Sequence, residues 1–155
     1  MNKGEESLLL KDLCGRIPYG VKVIVPCLGD KTYTLKAVRI EDGCIVVCEM
    51  GDNGEISMPI ECVKPYLFPL SSISTSEMNE ITDILGCDFP WFISEGKLTW
   101  AVGGSVESEL FELTIDQLER LMHIFNSRHY DYRGLIGKHL ANDATGLGIY
   151  KEDQP

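Results

Sequence analysis

The densest run of reactive side chains is Ser127-Arg128-His129-Tyr130-Asp131-Tyr132-Arg133-Gly134, which brings together an imidazole, a carboxylate, two phenols and two guanidinium groups. A histidine beside a carboxylate is how a general base is poised near neutral pH. An arginine there can hold a phosphate or a carboxylate through its planar fork of donors. The same residue types also suit a plain joint between two helices, which needs aromatic packing and side chains that satisfy free helix ends. Three readings therefore stand for His129, Tyr130, Asp131, Tyr132 and Arg133: a structural joint, a binding surface or a small catalytic centre. Arg133 can bond several helix-terminal carbonyls or one carboxylate at once. Asp131 stands where a carboxylate can cap a following helix and meet its dipole favourably.

The other chemistry-bearing residues form no such string. His123 reads as a boundary residue on a helix and His139 as a surface one; with the scattered carboxylates they make no H-E-x-x-H pattern. Gly146-Leu147-Gly148 lacks the third glycine, the preceding strand and the following helix of a dinucleotide site. Gly103-Gly104 is a turn, and neither a G-K-[ST] phosphate loop nor a G-x-S-x-G elbow occurs. The cysteines stand at 14, 27, 44, 48, 62 and 87. Zinc ligands usually come as C-x2-C or C-x4-C pairs at turns. Cys44 and Cys48 flank Ile-Val-Val, and in a strand they lie about 13 Å apart at ~3.3 Å per residue, too far to share an ion. They read as small core hydrophobes. No catalytic residue, metal site or cofactor is assigned from these patterns.

The elements that must carry these residues read as follows. A short helix over 5–14, with Leu9, Leu10, Leu13 and Cys14 on one side, is expected to stop at Gly15 before Pro18. Strands follow at 21–25, 32–40, 44–50 and 55–60. Asp42-Gly43 is a hairpin signal between two of them, and Asp52-Asn53-Gly54 a second turn. Short strands joined by tight turns are expected to curl into a small barrel, partly closed by the first helix. Residues 63–70, with Pro65 and Pro69, read as an extended strap leaving this lobe. Ser74 and Glu77 make a capping box for a helix ending at Gly86, with Ile73 and Met78 as its staple. A three-stranded meander is expected over 89–94, 97–102 and 106–113. Thr114 and Gln117 open the strongest helix, whose apolar face is Ile115, Leu118, Leu121, Met122 and Phe125. A second short helix is expected over 132–141.

The chain has 155 residues and a formal net charge of −10. Residues 1–70 carry 8 basic and 10 acidic side chains, and residues 71–155 carry 6 and 14. An acidic surface repels phosphate backbones at long range, which argues against sequence-independent nucleic-acid binding. The near-neutral first part leaves open a nucleic-acid module built on the barrel. Leu8-Leu9-Leu10 is too short for a signal peptide and follows acidic residues, and no apolar stretch approaches a membrane span. The expectation is a cytoplasmic protein with thiol cysteines and no membrane partner.

Three blocks carry a resemblance. They are Leu8-Leu9-Leu10-Lys11-Asp12-Leu13-Cys14-Gly15-Arg16-Ile17-Pro18-Tyr19-Gly20-Val21-Lys22-Val23, Val63-Lys64-Pro65-Tyr66-Leu67-Phe68-Pro69-Leu70-Ser71-Ser72 and His129-Tyr130-Asp131-Tyr132-Arg133-Gly134-Leu135-Ile136. Together they resemble a recurring family of short uncharacterised proteins from anaerobic gut bacteria and their phages. The resemblance implies a phage or mobile-element setting and carries over no catalytic residues. The resulting expectation is an α+β fold with a helix-plus-barrel lobe over 1–70 and a second α+β lobe over 71–155. Its expected role is that of a non-enzymatic binding or accessory protein acting on a protein partner. The alternatives are the nucleic-acid module and a small enzyme at the His129–Arg133 joint.

Overall fold

A computed structural model describes residues 1–40, 44–50, 54–86, 91–94, 97–100 and 113–150. The first helix, α1 (Lys3–Arg16), starts at Asn2, whose side chain accepts the Glu5 N–H while the Glu5 carboxylate accepts the Asn2 N–H. This reciprocal pairing satisfies two of the donors that a helix start leaves free. The buried face of α1 is Leu9, Asp12, Leu13 and Arg16, so two charged residues share the i, i+3, i+4, i+7 stripe with two leucines. Cys14, expected on that face, is exposed. Gly15 does not stop the helix. The chain passes through Arg16 into a 3-10 turn, Ile17–Tyr19, and reverses at Gly20 with φ 63°.

Six strands form one open sheet in the order β4-β3-β2-β1-β5-β8. They are β1 (Lys22–Ile24), β2 (Thr32–Ile40), β3 (Cys44–Met50), β4 (Gly54–Pro59), β5 (Lys64–Leu67) and β8 (Asn142–Asp143). The pair β6 (Trp91–Ser94) and β7 (Lys97–Trp100) stands apart as an antiparallel two-stranded sheet, with Trp91 opposite Trp100. The expected third strand of that meander, up to residue 112, lies outside the described residues. So do Asp42-Gly43, Asp52-Asn53, Glu95-Gly96 and Gly103-Gly104. The β2–β3 ladder runs from Ile40↔Cys44 to Thr34↔Glu49 and shifts register between Leu35 and Ala37, a bulge that re-aims the strand.

The expected barrel is not closed, and the strap is a strand. β5 turns back along β1 with Val23 opposite Pro65, and the late β8 adds beside it in parallel, Tyr66 opposite Asn142. Since β5 pairs with β1 and β8, β4 is left at one edge and β8 at the other. The sheet grows sideways through a segment far along the chain, a pairing that local periodicity does not encode.

α2 (Thr75–Leu85) starts on the Ser74–Glu77 box and ends at Gly86, φ 63°. α3 (Ile115–Ser127) starts on the Thr114–Gln117 box. The Gln117 amide also donates to the Leu85 carbonyl at 3.0 Å, so the start of α3 satisfies the end of α2. Leu121, Ile124 and Phe125 are buried with Ile81, Ile84, Leu85, Leu70, Ile73 and Tyr130. Leu118, expected in this core, is 49% exposed and Ile115 79% exposed. Their positions belong to the first turn, whereas the cluster forms where the later turns of α3 meet α2 and the chain after α3.

The expected helix over 132–141 is a series of turns. Gly134 (φ 68°) and His139 (φ 60°) are both left-handed, which interrupts any helix there. The Leu135 carbonyl instead accepts the N–H groups of Lys138, Leu140 and Ala141. Leu135, Leu140 and Ala141 belong to the same apolar cluster as α1 and the sheet, with Leu13, Val23, Leu35 and Leu67. Among the described residues, no helix is long and apolar enough to cross a membrane.

Candidate functional site

The end of α3 is closed by a two-bond terminus. The Tyr130 N–H donates to the Phe125 carbonyl at 2.9 Å and the His129 N–H to the Asn126 carbonyl at 3.2 Å. This is the arrangement in which the residue after the cap is left-handed, a position usually filled by glycine. Here it is His129, with φ 58°. A side chain at that position costs backbone energy. The imidazole is buried and stacks on the Tyr150 ring at 4.2 Å with 19° between the planes. Tyr150 is held in turn, its hydroxyl donating to the Tyr66 carbonyl at 2.7 Å and accepting the Lys22 N–H at 3.1 Å. The His129–Tyr150 stack thus joins the end of α3 to the C-terminal turn and to β1 and β5.

Next, the chain pairs with Phe68: its N–H donates to the His129 carbonyl, and the Asp131 N–H donates to its carbonyl at 2.7 Å. Asp131 turns its carboxylate forward, where both oxygens accept backbone N–H groups, from Leu135 and Ile136, each at 2.8 Å. The capping role expected of Asp131 is filled, but on a turn. Both carboxylate oxygens are thus engaged by main-chain amides.

Tyr132 and Arg133 face α1. The Tyr132 ring stacks on Phe125 at 5.6 Å, and its hydroxyl donates to the Asn126 side chain at 3.0 Å. The guanidinium groups of Arg133 and Arg16 lie over that ring at 4.8 and 5.4 Å. Beneath them is a fully buried ion pair within α1: Arg16 reaches both Asp12 oxygens, at 2.7 and 3.0 Å. Arg16 also donates to the carbonyls of Phe125, at 3.2 Å, and Tyr130, at 2.7 Å. Arg133 Nε stands 3.5 Å from Asp12. Gly15 belongs to the same contact, since a Cβ there would lie 3.4 Å from the Asn126 side chain. Arg16 performs the carbonyl-binding role that the sequence suggested for Arg133. The i, i+4 spacing of Asp12 and Arg16 around Leu13 was the available signal, because a charged pair on the stripe of buried leucines must be internally matched.

The five string residues therefore divide. His129 and Tyr130 line an open cleft of about 790 Å³, and the other three do not. Its further walls include Tyr19 and Lys22 beside α1 and β1, Glu77 and Arg128 from the helices, and Tyr150. Arg128 bonds Glu80 at 2.6 Å and approaches Glu77 at 3.6 Å. Partial burial works to raise the Glu77 carboxyl, but hydrogen bonds from Ser74 and Tyr130 and the Arg128 charge outweigh it and hold the group below its ordinary value. Burial, then the hydrogen bond to Glu77, pushes the Tyr130 phenol well up. At the rim, the Tyr19 hydroxyl and His123 Nδ1 are 2.9 Å apart. Tyr19 and Lys22 lie far in sequence from Tyr150 and from the end of α3, and none of the three was legible as a site residue. Among the described residues, no group of three His, Cys, Asp or Glu side chains is placed to hold a metal ion. Searches against protein-family models, curated proteins and solved structures returned no match.

Proposed function

We propose that the chain is a non-enzymatic binding protein that engages a protein partner through the cleft between the sheet and the end of α3. The observation that carries this reading is the composition of the cleft: Tyr19, Tyr130, Tyr150 and Arg128 line one open depression whose walls are polar and apolar in nearly equal share. Tyrosine and arginine dominate the residues that supply binding energy at protein interfaces. A small-molecule pocket is mostly apolar and encloses its ligand. An open depression of mixed lining, with charges of both signs, suits the side chains of a partner surface better. The resemblance of the three sequence blocks adds the setting: an accessory factor of a phage or mobile element.

The test compares the wild-type chain with Tyr19→Ala and Arg128→Ala in cross-linking and co-purification from the native host. Both residues are at the cleft surface, and exposed ion pairs such as those of Arg128 contribute only about 0–1 kcal/mol, so both variants should keep their melting behaviour. The expected result is one partner recovered by wild type, cross-linked at the cleft and lost from both variants. Unchanged recovery by both variants rejects the cleft as the working face.

A further inference from the structure

At the end of the sheet away from the cleft, two cysteines are brought together. β1 and β5 pair with Ile24 opposite Lys64. From this end of the ladder the chain leaves β1 through Val25 into one 3-10 turn and enters β5 through Val63 from another. Cys27 lies in the 3-10 turn Pro26–Leu28, which follows β1, and Cys62 in the turn Ile60–Cys62, which precedes β5. Both are free thiols, Cys27 exposed and Cys62 half-buried. Cys27 is near enough to the Cys62 thiol to act on it electrostatically. Nothing in the cleft uses either residue, and the two turns are far apart in sequence, so their meeting is a product of the strand pairing.

We propose that Cys27 and Cys62 are a redox pair that closes to a disulfide by exchange with a small-molecule disulfide of the glutathione type. Cys27, the exposed thiol, loses its proton to water and attacks one sulfur of the incoming disulfide. That S–S bond breaks, and one thiolate leaves and takes up a proton. The result is a mixed disulfide on Cys27. Cys62 then loses its proton and attacks the Cys27 sulfur, expelling the second thiol. One protein dithiol and one small disulfide become one protein disulfide and two small thiols, so electrons and protons balance. Partial burial, with Cys27 and Glu61 adding to it, raises the Cys62 thiol above its ordinary value. A higher pKa leaves less thiolate for a first attack, so Cys62 is the resolving thiol. The closed disulfide would tie the exit of β1 to the entry of β5, two neighbouring interior strands whose opposite ends hold Lys22 and the Tyr66–Tyr150 bond.

The experiment exposes the folded full-length chain to excess oxidised glutathione, blocks remaining thiols, and maps peptides by mass spectrometry without reduction. The expected product is an intramolecular Cys27–Cys62 cross-link that carries no glutathione, with both thiols recovered on adding dithiothreitol. Cys62→Ser should stop at a glutathione adduct on Cys27, and Cys27→Ser should give no cross-link. Exposed Cys14 serves as an accessible control thiol. A wild-type chain that keeps a stable glutathione adduct on Cys27, that links either cysteine elsewhere, or that leaves both thiols free while Cys14 reacts would overturn the proposal.

Discussion

The His129 position sets a backbone cost against a side-chain gain. Glycine there would relieve the left-handed strain of about 1–2 kcal/mol but lose the stack on Tyr150. Alanine would lose the stack and keep the strain. His129→Ala is therefore expected to be less stable than His129→Gly, and urea denaturation of the two variants checks the order. Breaking the Asp12–Arg16 pair should do more damage. Arg16→Met leaves Asp12 buried beside the partly exposed Arg133 and strips donors from the Phe125 and Tyr130 carbonyls. A loss of about 3–5 kcal/mol is expected, as for a buried pair with one partner removed. The double change Asp12→Leu with Arg16→Met should recover part of it, because no uncompensated buried charge remains. Asp131→Ala strands one buried and one partly buried amide and should cost about 1–3 kcal/mol. Arg133→Ala, partly exposed and 3.5 Å from its carboxylate, should cost less.

At the scale of the elements, α3 works through its last turns. Phe125→Ala should cost about 3–5 kcal/mol, and Leu118→Ala less than about 1 kcal/mol. Equal losses would mean that the first turn of α3 is packed as tightly as the last. The α2 start carries a pH dependence. Glu77 has a folded-state pKa below its unfolded one, so its stabilising contribution is present above the unfolded value and lost as pH falls through the folded one. The loss should begin below about pH 4.3. Glu77→Gln should remove this part of the acid sensitivity, which melting curves across that range will report.

On the scale of the whole molecule, the C-terminal stretch is part of the first sheet. Leu135, Leu140 and Ala141 lie in its apolar cluster, and β8 pairs with β5. A chain ending at residue 134 should lose cooperative unfolding and bind a hydrophobic dye. A truncated chain that melts normally would show that the sheet closes its core without this stretch.

What the amino-acid order determined by itself is what neighbours along the chain can settle. The Ser74–Glu77 and Thr114–Gln117 boxes, the Gly86 stop and strands β2 and β3 follow from residues within a few positions of one another, because capping bonds and strand alternation act at that range. The α+β character follows from the same signals. Local reading failed wherever a distant group supplied the partner. Gly15 looked like a stop because its contact, Asn126, is on another helix. Residues 63–70 looked like a strap because β8 comes near the end of the chain. The turns over 132–141 looked helical because Asp131 binds amides that a helix would have used, and left-handed His139 is not a residue that advertises a break. The site was legible as a cluster of residue types but not as a place. Tertiary structure decided that His129 and Tyr130 face a cleft completed by Tyr19, Lys22 and Tyr150. It also decided that Tyr132 and Arg133 close over the Asp12–Arg16 pair. The physical reason is that the spare donors of a buried arginine, a ring stack and a sheet edge are each satisfied by groups that only the folded chain brings within bonding distance.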